Sequence, residues 1–198
     1  MLILSVAISL LTAGLVFASG RIPVAIMYAV VMPGVLVLPK LFRQRLSAWQ
    51  GPWGDERLRR LNRQFLVIVA MNAIGTLWLH ALPYQYDRLL HFALAFLGIF
   101  MAATILFPGR GASPNRSRLM FWSISFVAIG FFVVELTQFG SDAVFGTKMF
   151  HDVAQPIEID LAEDLLFDLL GATTATLLLI KHWDWWQRGL NGKKPEHQ

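Results

Sequence analysis

"DLAEDLLFDLLGA", Asp160 to Ala172, opens the last long apolar run of the chain and carries four carboxylates: Asp160, Glu163, Asp164 and Asp168. A charge at the centre of a bilayer costs ~2.5–3.5 kcal/mol on insertion scales. On a helix, Asp160, Asp164 and Asp168 stand four apart and fall in one stripe. Whether this run crosses a membrane therefore decides the fold. If it does, the acids need a shared, compensated environment.

Composition answers the first half. The chain has 198 residues, 56% of them hydrophobic and only 15% charged, with a mean hydropathy of +0.54. A soluble domain of this size needs a far more charged surface. An integral membrane protein is the expected class. There is no cysteine, which excludes disulfides and thiolate metal sites. The sequence pI is about 9.8, but the basic residues fall in short blocks between apolar runs, as in cytoplasmic loops. A nucleic-acid partner is not expected.

Six apolar stretches approach the length that spans a ~30 Å hydrocarbon core at ~1.5 Å per residue. They are Leu2–Ser19, Ile22–Pro39, Phe65–Leu82, Leu89–Phe107, Leu119–Gln138 and Leu161–Ile180. Pro33 and Gly34 predict a kink in the second. The first also has a weak cleavage site, Val16-Phe17-Ala18, but no basic n-region and an overlong apolar run, so a retained span is favoured over a signal peptide. The expected fold is an all-α, polytopic transmembrane helix bundle. It divides into two N-terminal spans with a basic loop (1–64), a four-helix core (65–182) with an external loop (139–160), and an aromatic, basic tail (183–198).

Orientation follows from Lys and Arg. Lys40, Arg43, Arg45, Arg57, Arg59, Arg60 and Arg63 lie between the second and third runs. Arg110, Arg116 and Arg118 follow the fourth, and Lys181, Arg188, Lys193 and Lys194 follow the sixth. Only Arg21, Arg88 and Lys148 lie on the opposite side. The positive-inside rule then puts both termini in the cytoplasm of a multi-pass cell-membrane protein. Trp49, Trp53, Trp183, Trp185 and Trp186 read as interfacial anchors, and the basic loop leans on membrane lipid headgroups.

With that topology most acids gather outside, where they attract cations. Asp87 and His91 stand four apart at the outer start of the fourth run; Glu135 and Gln138 stand three apart at the outer end of the fifth. Together with Asp164 and Asp168 they place polar groups from three helices at one depth. His91, Glu135 and Asp164 are expected within reach of one ion, with Asp168 just beneath. Local readings compete. Asp160 fits an N-cap with Glu163 as its capping-box partner, and Asp87 fits a cap of its own helix. In the long external loop, His151 and Asp152 are secondary candidates, and Ile157/Ile159 alternating with Glu158/Asp160 is weakly compatible with a short strand.

"YDRLLHF" (Tyr86–Phe92), "ELTQ" (Glu135–Gln138) and the Asp160–Ala172 stretch resemble, in order and spacing, three motifs of VanZ-like bacterial membrane proteins. The related YjdF-type proteins look closer still, through Gly146-Thr147-Lys148 followed by Asp160 and Asp164. The resemblance covers Tyr86 to Ala175. Asp168 stands where the VanZ-like pattern has Asn, and the Arg often seen before the last motif is missing. The resemblance implies a multi-spanning envelope protein of the bacterial membrane.

Three functional readings follow. One imidazole among carboxylates suits Mg²⁺, Mn²⁺ or Zn²⁺, and such an ion would polarise a phosphate or ester of a lipid-linked envelope molecule and activate water. Here His91, Glu135 and Asp164 are the candidate catalytic groups. Asp87, Gln138 and Asp168 are candidate substrate contacts, and His91, Glu135, Asp164 and Asp168 are candidate metal ligands. Alternatively, the cluster binds or relays protons or cations in a transport module. A third reading is an accessory membrane protein whose acids only hold helices together. No Gly-x-Ser-x-Gly or His-Glu-x-x-His motif selects a reaction.

Overall fold

The computed structural model describes residues 1–45, 52–78, 85–107, 114–145 and 157–190, and every regular element among them is helical. The order is α1 (Leu2–Ala18), α2 (Ile22–Ile26), a π-helical turn (Met27–Val31), α3 (Met32–Arg45), α4 (Pro52–Trp78), α5 (Gln85–Leu106), α6 (Arg116–Phe145), α7 (Ile157–Lys181) and α8 (Trp183–Leu190). The all-α expectation stands.

Among the described residues, three helical segments are long and apolar enough to cross a membrane: Ile22–Gln44, Tyr86–Leu106 and Arg116–Thr137. Leu2–Ala18 is apolar but shorter. The runs expected from Phe65 and from Leu161 lie within α4 and α7. α4 begins with an arginine-rich half, and the apolar part of α7 is broken by Glu163, Asp164 and Asp168. Polar and charged residues within them, not length, separate these two from the others. Exposed Phe121, Phe126, Ile129, Phe132, Val133 and Leu136 give α6 an apolar outer face, as suits a helix surrounded by lipid.

Prolines shape the second rod. Pro33 lacks the N–H that the carbonyl of Ala29 would accept in an α-helix. The irregularity expected there takes the form of the π turn just before it. A π turn frees backbone carbonyls, and Ser9 Oγ donates to the Tyr28 carbonyl at 2.6 Å. The Tyr28 hydroxyl in turn meets Thr76 Oγ1 at 2.7 Å. These bonds tie the N-terminal helices to α4.

The second half is a three-helix unit. Ile99 and Ala103 of α5, with Phe107 just past its end, pack with Leu119, Met120 and Val127 of α6 and with Ala175 and Leu179 of α7. Successive contacts show that α5 and α7 run parallel, since Arg88 pairs with Glu163, His91 with Asp168, and Phe92 lies against Gly171, and that α6 is antiparallel to α5, since His91 faces Glu135 and Gly98 faces Val127. That last contact sets the spacing, because a Cβ on Gly171 would collide with the Phe92 carbonyl. Only glycine permits so close a backbone approach.

Four local expectations change. Residues Ile157–Asp160 are helical, so the weak strand pattern loses to the helix that continues from it. Asp160 consequently sits inside the first turn of α7 and is not its N-cap, while Glu163 pairs with Arg88 across to α5 instead of closing a capping box. Helix also takes both ends of the expected 139–160 connector, since α6 reaches Phe145 and α7 starts at Ile157. Finally, Trp186 is buried, edge-on to Phe107 at 5.6 Å, because α8 is amphipathic and turns that ring inward. Trp185 remains exposed.

Candidate functional site: a histidine between four carboxylates

Asp87 and His91 lie one turn apart near the start of α5, so both project from the same helix face. The antiparallel course of α6 returns Glu135 to that level. The parallel course of α7, held close by Gly171, brings Asp164 and Asp168 there one turn apart. The sequence placed these residues on three separate helices; tertiary packing puts them around one ring.

The His91 imidazole has acid on both nitrogens. Nδ1 lies 3.2 Å from Asp168 Oδ1 and 4.0 Å from Glu135 Oε1. Nε2 lies 3.5 Å from Asp164 Oδ1 and 4.0 Å from Asp87 Oδ1. A neutral imidazole has one N–H and one lone pair, so it can serve carboxylates on only one of its sides. The opposite side needs a proton or a cation.

Burial sharpens this requirement. Glu135, Asp164 and Asp168 are each 7% exposed, as is Asp160 at the top of the same stripe. Glu135 Oε1 and Asp168 Oδ2 are buried and accept no hydrogen bond among the described residues. Uncompensated carboxylates in such a place are costly, by several kcal/mol each even after relaxation (~20 kcal/mol in the idealised limit). Among the described residues Arg88 brings positive charge near the cluster, but it donates to Glu163 and lies 5.9 Å from the centre of the Phe167 ring. It closes the α5–α7 seam beside the cluster.

Two ligand sets have metal-compatible spacing. In Asp87/His91/Asp164, and again in His91/Glu135/Asp168, the ligand atoms all lie within 4.8 Å of one another. Ligands bonded to one ion at ~2.0–2.2 Å stand at most ~4.4 Å apart. Small side-chain rotations would close either set. Chemically the arrangement can hold hard or borderline divalent cations or pass protons along a carboxylate–imidazole–carboxylate line.

Other candidates fall elsewhere. Gln138 is in α6, one turn beyond Glu135, but its side chain lies outside the described ones. His151 and Asp152 lie outside the described residues. The Arg88–Glu163 pair was not anticipated; the only signal was that each residue adjoins a site acid, Asp87 or Asp164.

Helices with apolar exteriors around a buried polar centre define a helical membrane protein. The chain belongs to the DUF2238 family of predicted membrane proteins, whose model matches residues 1–184. No curated protein and no solved structure matches it.

Proposed function

We propose that this protein is a multi-pass membrane protein whose His91-centred cluster binds a divalent cation, and that the bound ion acts on a lipid-linked envelope molecule. The observation that carries the cation is the ring itself: one imidazole with carboxylates at both nitrogens, among buried oxygens that lack donors. A divalent ion supplies the missing counter-charge. It would also polarise a phosphate or ester oxygen and lower the pKa of a bound water. Glu135 or Asp164, whichever does not hold the ion, would take that water's proton.

The distribution of Lys and Arg supports six spans with both termini cytoplasmic, so that the cluster faces the outer leaflet. The VanZ-like and YjdF-like resemblance of Tyr86–Ala175 supports an envelope setting. Side-chain exposure decreases from Asp87, at 26%, to Glu135 and Asp168, both at 9%. That gradient favours entry of the ligand past Asp87. It also fits the second reading, a proton or cation pathway.

Elemental analysis of the detergent-purified protein tests the proposal, with a divalent ion expected that Asp164→Asn and Glu135→Gln diminish. Turnover of a lipid-linked phosphate in proteoliposomes supports the enzyme; ion flux without turnover supports transport. Variants with unchanged metal content and phenotype would reduce the cluster to a structural role.

A further inference from the structure

The cluster divides into two halves, and the division runs through His91. Asp87 and Asp164 face Nε2, whereas Glu135 and Asp168 face Nδ1. The two nitrogens of an imidazole point their lone pairs away from each other, so one ion cannot bind both. Each half nevertheless has its own ligand set, an imidazole nitrogen with two carboxylates. The inner half also contains the two buried oxygens without donors, Glu135 Oε1 and Asp168 Oδ2, and Glu135 Oε1 is the atom facing Nδ1.

Charge points the same way. The four carboxylates carry four negative charges when ionised, and a single divalent ion offsets half of that. Burial makes the remainder costly. A second divalent ion, counted against the imidazolate charge that its binding creates, leaves one excess negative charge in place of two, and the half left vacant by the first already has the ligands for it.

We infer that the centre takes two divalent cations, an outer one on Asp87, His91 Nε2 and Asp164 and an inner one on His91 Nδ1, Glu135 and Asp168, with His91 as the bridge. The inference rests on the cation-binding reading above and extends it to a dinuclear centre. The proton balance is explicit. The first ion binds the ring nitrogen that has no hydrogen. Its charge acidifies the N–H on the other nitrogen, and the second ion takes that position as the proton leaves to solvent. The second binding event thus releases one ring proton, and His91 ends as a bridging imidazolate. This assigns Asp87 as a ligand of the outer ion.

Titration of the chelator-stripped full chain in detergent with Mn²⁺ alone tests the inference. The expected limit is two ions per chain, with an exchange-coupled electron paramagnetic resonance signal at saturation. A limit of one ion, with the isolated six-line signal, would overturn the two-ion centre and leave the cation-binding reading standing. A limit of zero would overturn both. Asp87→Asn is expected to keep the inner ion alone, and Glu135→Gln the outer ion alone, each with the uncoupled signal. Either variant retaining two coupled ions would refute the assignment. Far-ultraviolet circular dichroism and a single elution peak establish that each variant is folded, and the unmodified chain carries the test by itself.

Discussion

At the C-terminal ends of α5 and α7, arginines meet main-chain carbonyls; at the N-terminal ends of the same two helices, carboxylates meet one imidazole. Arg57 is fully buried, donates to the Phe107 carbonyl at 2.6 Å and lies over the Phe107 ring. Arg116 donates to the Ile180 carbonyl at 2.6 Å from the surface. A helix C-terminus has unpaired carbonyls and partial negative charge, so cations fit there without outside help. Arg21 does the same for α4, reaching the Thr76 carbonyl at 3.0 Å. The opposite end has no such match. Helix N-termini favour anions, but four carboxylates exceed what two termini and one ring can compensate. The arginines sit on carbonyls that favour their charge, whereas the four carboxylates crowd one another around a single ring. Buried charge thus meets opposite partial charge at one end and like charge at the other.

The largest expected effect breaks or upholds that contrast directly. His91→Ala removes a ligand from both halves and should strip the metal from the purified protein; full retention in elemental analysis would put the ion elsewhere. Next, opposite signs are expected from neutralising the two ends. Arg57→Met should lower apo-protein stability by about 1.5–3 kcal/mol, since it deletes a buried charged hydrogen bond, while leaving metal content intact. Asp164→Asn should reduce metal content yet leave apo stability unchanged or higher, because it removes a desolvated charge. Thermal melts with and without chelator read both, and equal losses from the two variants would erase the distinction.

Gly171→Ala sharpens the geometry. In an exposed helix interior this change gains roughly 0.8–1.0 kcal/mol of propensity. Here the added methyl meets the Phe92 carbonyl, so a net loss of about 1–3 kcal/mol is expected from overpacking, together with weaker Mn²⁺ binding as α7 shifts away from His91. A stabilised variant with unchanged binding would show that the close approach is dispensable. The smallest effect belongs to Glu163→Gln. Its pair with Arg88 is partly exposed, at 30% and 24% of the side chains, so ~0.2–1 kcal/mol is expected, with two-ion binding retained.

Much of the chain was legible before folding was considered. The apolar runs foretold helices, Pro33 foretold an irregular second rod, and the four-residue spacing of Asp160, Asp164 and Asp168 foretold a buried acidic stripe. The runs within α4 and α7 were also expected to span, yet neither is among the described segments long and apolar enough to cross a membrane. Less legible were the roles of neighbours. Asp160 and Glu163 matched a capping box only while the start of α7 was unknown, and Trp186 matched an interfacial anchor only while the inward face of α8 was unknown.

The sequence by itself determined that these helices are apolar, that acid and histidine interrupt three of them near one end, and that basic residues collect near the other. Those properties are periodic and local, set by residue type and by 3.6 residues per turn. Only the tertiary structure decided that both nitrogens of His91 face carboxylates, that Gly171 rather than a larger residue sets the α5–α7 spacing, and that Arg88 is engaged by Glu163. These depend on the rotation of each helix about its axis and on the distance between helices, which no single helix specifies and which close packing fixes all at once.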